Sequence, residues 1–88
     1  SNESIIEELY NKMVQEAPPS QEYDKQRRKN IELREKLEES LTEQQKEQLN
    51  ILIENRIITD SIISKEMFIK GFKIAVKIII EALSKDDT

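Results

Sequence analysis

Residues 66–84 read Glu66-Met67-Phe68-Ile69-Lys70-Gly71-Phe72-Lys73-Ile74-Ala75-Val76-Lys77-Ile78-Ile79-Ile80-Glu81-Ala82-Leu83-Ser84. At about 100° per residue, Glu66, Lys70, Lys73, Lys77, Glu81 and Ser84 fall within an arc of about 80°. Everything else from Met67 to Leu83 is apolar or Gly. A strand would alternate with period two, so the stretch reads as a helix whose apolar side takes up most of its circumference. Away from the polar strip, Gly71, Ala75 and Ala82 are flanked by Phe68, Phe72 and Ile79. Small residues on a line let a second helix backbone come close. The three lysines argue against a lipid-embedded span, and the Ile78-Ile79-Ile80 run is far short of the roughly 20 apolar residues a membrane crossing needs.

Reading toward the N-terminus, no Pro interrupts the chain back to Thr42. Thr42 and Gln45 have capping-box spacing, so one helix is expected over 43–84, with a bend near Asp60-Ser61 or Gly71 as the only foreseeable irregularity. Its first half carries two apolar stripes. One runs through Leu49, Leu52, Arg56, Thr59, Ile63 and Met67, the other through Ile51, Asn55, Ile58, Ile62 and Ile69. A helix with two apolar stripes has two packing partners.

Two shorter helices precede it. Ser4 and Glu7 have capping-box spacing, and Ile6, Leu9, Tyr10, Met13 and Ala17 share a face, which predicts helix 4–17 ended by Pro18-Pro19. Ser20 is a suitable N-cap for helix 20–40. There Tyr23, Gln26, Asn30, Leu33, Leu37 and Leu41 form a narrow seam of coiled-coil type, with Asn30 at a core position. Laid end to end, the two short helices span about as much as the long one at 1.5 Å per residue, so they can run antiparallel along it. That arrangement leaves the second Ile stripe and part of the Phe-Gly-Phe face uncovered. The expected architecture is therefore all-α. It is an antiparallel hairpin or bundle of three helices in a single domain over 1–88, dimerising into a four-helix-like bundle through Ile51, Ile58, Ile62, Phe68, Ile69, Gly71, Phe72 and Ala75. A compact monomer with the third helix broken near Asp60 is the rival arrangement.

Composition narrows the chemistry. The chain has no Cys, His or Trp and only one Gly, which removes disulfide frameworks, zinc sites, Cys or His nucleophiles and Gly-rich phosphate loops. Lys plus Arg number 14 against 18 acidic residues, a net charge of −4. Duplex nucleic acid calls for a clustered basic surface, and the one dense basic run, Lys25 to Lys29, spreads around a helix axis. The expectation is no nucleic acid, no membrane span, no metal, no cofactor, no enzymatic activity and a cytoplasmic setting. Ser1-Asn2 reads as the remnant of a cleaved tag. Glu32, Glu35, Glu38 and Glu39 have spacings seen in helical magnesium sites, but they point away from the Leu33–Leu37 seam and diverge into solvent. Arg56 and Asp60 are spaced to pair with each other along the long helix.

Two resemblances add to this. Ser20-Gln21-Glu22-Tyr23-Asp24 resembles the Ser-Gln-Glu-Leu-Asp signature of sporulation-type aspartyl-phosphate phosphatases, matching at Ser20, Gln21, Glu22 and Asp24 and departing at Tyr23. That resemblance implies an acidic residue facing a phosphorylated response regulator. The residues themselves equally suit a capped helix start. Over nearly the whole chain, four motifs occur in order: Glu7-Glu8-Leu9-Tyr10, Pro19-Ser20, Leu41-Thr42-Glu43-Gln44-Gln45-Lys46 and Phe68-Ile69-Lys70-Gly71-Phe72-Lys73. Together they resemble a family of small helical proteins of unknown function from Gram-positive gut bacteria and their mobile elements. Its usual ending is Phe-Ile-Tyr-Gly-Phe-Arg-Leu-Gly, from which Lys70 and Ala75 depart. This resemblance implies the helix order and brings no activity. The function expected is a non-enzymatic interaction or structural module acting through helix faces, as a homodimer or with another protein. A phosphatase-like regulator is the alternative.

Overall fold

The computed structural model describes residues 4–86. Ser1-Asn2, read above as a tag remnant, lies outside the described residues. Three helices follow in order: α1 over Ile5–Glu16, α2 over Gln21–Glu38 and α3 over Glu43–Asp86, with no strand among the described residues. By contacts the described chain divides into two units. The first takes the chain up to Glu16 and from Thr59 onward, and the second takes Ala17–Ile58.

Each helix starts where a hydroxyl side chain satisfies a backbone N–H that the helix itself cannot. The Glu7 N–H donates to Ser4 Oγ at 3.2 Å, and the Tyr23 N–H donates to Ser20 Oγ at 3.1 Å. At α3 the box is reciprocal: the Gln45 N–H donates to Thr42 Oγ1 at 3.2 Å and the Thr42 N–H donates to Gln45 Oε1 at 2.9 Å. Pro18 and Pro19 separate α1 from α2, since neither offers an N–H to continue the ladder.

The joint between α2 and α3 uses no left-handed residue, since no positive φ occurs among the described residues. The end of α2 tightens instead. The Ser40 N–H donates to the Leu37 carbonyl at 3.0 Å and the Leu41 N–H to the Glu38 carbonyl at 3.1 Å, while Ser40 Oγ donates to the same Leu37 carbonyl at 2.9 Å. Three-residue bonds of this kind occupy the orphan carbonyls that a glycine cap would otherwise serve. From Glu43 the helix runs 44 residues without interruption. Neither Asp60-Ser61 nor Gly71 breaks it, and the broken third helix of the compact-monomer alternative does not occur.

In the first unit α1 lies on α3 through aromatic and aliphatic contacts. The Tyr10 and Phe68 rings have centroids 5.3 Å apart, and Phe68 and Phe72 are 6.4 Å apart. Ile6, Phe72 and Val76 line an open hollow of about 420 Å³ together with Lys73 and Lys77. Glu7 Oε2 and Lys65 Nζ stand 3.7 Å apart at the edge of this contact. In the second unit, Arg34 donates from its guanidinium to Asn50 Oδ1, across the turn that joins α2 to α3. Arg34 Nε also donates to Glu38 Oε1 at 2.9 Å.

No described residue in either unit is buried. The half-exposed positions nevertheless identify the faces that pack. On α2 they are Asp24, Arg34, Glu38 and then Leu41, whereas Leu33 and Leu37 stay 56% and 49% exposed. Of the expected seam, Leu41 is half-exposed while Tyr23, Leu33 and Leu37 are exposed, and Gln26 and Asn30 bond each other along the helix at 3.2 Å. On α3 the face turned to α2 runs through Lys46, Leu49 and Ile53, and Leu52 is exposed.

Candidate functional site

Among the described residues no three His, Cys, Asp or Glu stand where they could hold a metal ion. Glu38 of the acidic run is held by Arg34, as described above. The Ser20–Asp24 segment is a helix start: Ser20 caps α2 with extended backbone at φ −71° and ψ 162°, and Glu22 and Asp24 lie in the first turn. Gln21, Asp24, Lys25 and Arg28 line a shallow depression of about 260 Å³ on the helix surface. Carboxylates in the first turn favour the positive end of the helix dipole, which accounts for both acidic residues without an activity.

The surface that asks for an explanation is apolar and lies on α3. In the second unit Ile51, Ile57 and Ile58 are more than half exposed. Asn55, on the line between Ile51 and Ile58, turns its amide back to the Ile51 carbonyl at 2.9 Å. In the first unit Ile62 is exposed and Ile69 half-exposed. Phe68 and Phe72 are engaged from the α1 side, with Phe68 half-exposed against Tyr10.

Gly71 and Ala75 are exposed, and a Cβ built on Gly71 would meet nothing within 4 Å. The close helix approach expected at this glycine is therefore not made among the described residues. Beside it Met67, Ile74 and Ile78 are 53%, 58% and 61% exposed. Placed at about 100° per residue, the α1-facing line Phe68–Phe72–Val76 and the line Met67–Gly71–Ile74–Ile78 are about 130° apart on the helix. The polar strip Glu66–Lys70–Lys73–Lys77–Glu81 separates the two on the other side. At the far end Ser84 Oγ donates to the Ile80 carbonyl at 2.9 Å, so its hydroxyl folds onto the helix.

Sequence reasoning singled out Ile51, Ile58, Ile62, Ile69, Phe68, Gly71, Phe72 and Ala75 as contact residues. It did not single out Met67, Ile74 and Ile78 as a face. The signal was present, since 67, 71, 74 and 78 are spaced four, three and four, but it was absorbed into an apolar arc treated as a whole. Ile53 was missed because it lies about 40° past Leu49, on the side of that stripe away from the other one.

No helix among the described residues is long and apolar enough to cross a membrane. No curated protein and no solved structure matches the chain. One family model does match, over residues 3–82, and its description is a family of unknown function. The chain belongs to that family, DUF6809.

Proposed function

We propose that this protein is a non-enzymatic interaction module that works as a homodimer held together by apolar faces of α3. One observation carries the reading: α3 exposes Ile, Met and Leu side chains along its length, while no described residue in either unit is buried. A folded chain that leaves this much aliphatic surface in water forgoes its main source of stability. Contiguous apolar patches of this kind mark association surfaces rather than ordinary solvent-facing sides. The pairing of copies into an antiparallel, four-helix-like bundle with coiled-coil contacts follows from the same surface, since α1 and α2 each cover only one side of α3.

The non-catalytic part of the proposal rests on composition. Without Cys or His the acid-base and nucleophilic options reduce to carboxylates, lysines, tyrosines and Ser or Thr hydroxyls with no imidazole to activate them. Glu7 and Lys65, which do meet across helices, stand at the open edge of the α1–α3 contact rather than in a sheltered pocket. A cytoplasmic setting belongs to the same proposal. The Phe68–Lys73 ending supports an origin among Gram-positive gut bacteria.

Thermal unfolding followed by helical circular dichroism over a hundredfold range of protein concentration tests the proposal. A dimer is stabilised by mass action, so its Tm rises with concentration. A Tm independent of concentration contradicts the reading.

A further inference from the structure

We infer that the second copy docks antiparallel on the α3 face formed by Met67, Gly71, Ile74, Ala75, Ile78 and Ala82, with the two-fold axis passing between Ile74 and Ala75. The inference rests on the self-association reading above and names the face and the register. The face is exposed, lies about 110° round the helix from the line that packs on α1, and so stays open when α1 is in place.

Its residues are complementary to themselves in one direction. With the axis between 74 and 75, each residue meets the one whose number brings the pair to a sum near 149. Met67 then meets Ala82 of the second copy, Gly71 meets Ile78, and Ile74 meets Ala75. Every large side chain faces a small one, as close helix packing requires. A parallel pairing instead sets Gly71 on Gly71, Ile74 on Ile74 and Ile78 on Ile78, leaving a gap at one level and crowding at two others. Gly71 itself is a second argument. Glycine is disfavoured inside a helix, this one has a helical backbone with no positive φ, and no described residue comes within 4 Å of a Cβ built on it. Ile78 of a second copy supplies the neighbour that its missing side chain admits.

The charges beside the face agree with the register. Lys70 and Glu81 lie on the same flank, and in this pairing they are offset by two residues, about 3 Å along the axis. Side chains on a helix lean toward its N-terminus. In antiparallel copies Lys70 and the second copy's Glu81 therefore lean toward each other, and the two-fold axis makes the pair twice. Lys77 of the second copy, offset by the same distance on the other side of Lys70, leans away.

The chain has no cysteine, so single introduced thiols report the register without background. Ala75→Cys, Gly71→Cys and Ile78→Cys are oxidised separately, and the last two also as an equimolar mixture. Helical circular dichroism checks that each variant folds, and sedimentation equilibrium of the unmodified chain runs alongside. In the proposed register the thiols of two Ala75→Cys chains lie about 1.5 Å apart along the axis and cross-link. Those of two Gly71→Cys chains, or of two Ile78→Cys chains, lie about 10 Å apart along it and do not. The equimolar mixture of Gly71→Cys and Ile78→Cys chains forms the mixed disulfide. Self-cross-linking of the Gly71→Cys variant as readily as the Ala75→Cys variant overturns the antiparallel register. A dimeric unmodified chain whose Ala75→Cys variant does not cross-link overturns the face while self-association stands. An unmodified chain that stays single at every concentration overturns both.

Discussion

Replacing Gly71 with Ala separates what the glycine costs within one chain from what it does between chains. In a helix interior Ala is favoured over Gly by about 0.8–1.0 kcal/mol. Nothing lies within 4 Å of the added Cβ, so a single chain offers no steric penalty against that gain. At low concentration Gly71→Ala should therefore raise the stability of the helical state by about 1 kcal/mol. In the dimer the same methyl points at Ile78 of the second copy. Overpacking a close contact costs about 1–3 kcal/mol, and the two-fold axis applies it twice. Taking the lower figure at both sites weakens association by about 2 kcal/mol, roughly thirtyfold in Kd. Urea unfolding at dilution reads the first effect and sedimentation equilibrium the second. The two signs should oppose each other. If the dilute chain is stabilised and association is unchanged, Gly71 is not at the interface. If the dilute chain is destabilised, a helix approaches Gly71 within one chain, and the reasoning fails at its first step.

Other perturbations test the units singly. Phe68→Ala removes the ring tilted against Tyr10 at 5.3 Å, and because Phe68 is only half withdrawn from water the loss should be about 1–2 kcal/mol, below the roughly 3–5 of a fully buried aromatic, read from urea unfolding. Thr42→Ala breaks the reciprocal cap of α3 and should cost about 1 kcal/mol, with the lost protection in hydrogen exchange confined to the first turn of that helix. Glu7→Gln removes a pair with Lys65 in which each side chain is about a third exposed, so the cost should stay below about 1 kcal/mol and shrink further in high salt. A larger loss there would mean that α1 is positioned by charge rather than by Ile6 and Tyr10.

Helix starts were the most legible part of the fold. Ser4, Ser20 and Thr42 each signal locally, through one hydroxyl and a backbone N–H three residues on, and all three hydrogen bonds occur. The α2 end was less so: no glycine or proline marks it, and the helix stops near Glu38 because tightened bonds at Ser40 and Leu41 take its carbonyls. Which face packs was hardest to read. Tyr23, Leu33 and Leu37 form the most apolar line of α2, yet the positions most withdrawn from water include Arg34 and Glu38, which bond to each other. A charged pair with long aliphatic stems can cover a neighbouring helix as well as a leucine can, so hydrophobicity alone does not rank such faces. On α3 the difficulty is opposite. From Met67 to Leu83 nearly every direction away from the lysine strip is apolar, and only the Tyr10 ring and the hollow lined by Ile6 show which part α1 takes. The face left over, with Gly71 at its centre, emerges by subtraction.

Sedimentation equilibrium of the unmodified chain and of Ile78→Lys, across the same concentration range, tests the central claim most directly. Ile78 is 61% exposed, so a lysine there is solvated in a single chain and a charge buried without a partner in the proposed dimer. Twice the chain mass is expected for the unmodified protein and a single-chain mass for the variant, with helicity retained. An unmodified chain that never exceeds its own mass, or a lysine variant that associates as tightly, would contradict the proposed dimer.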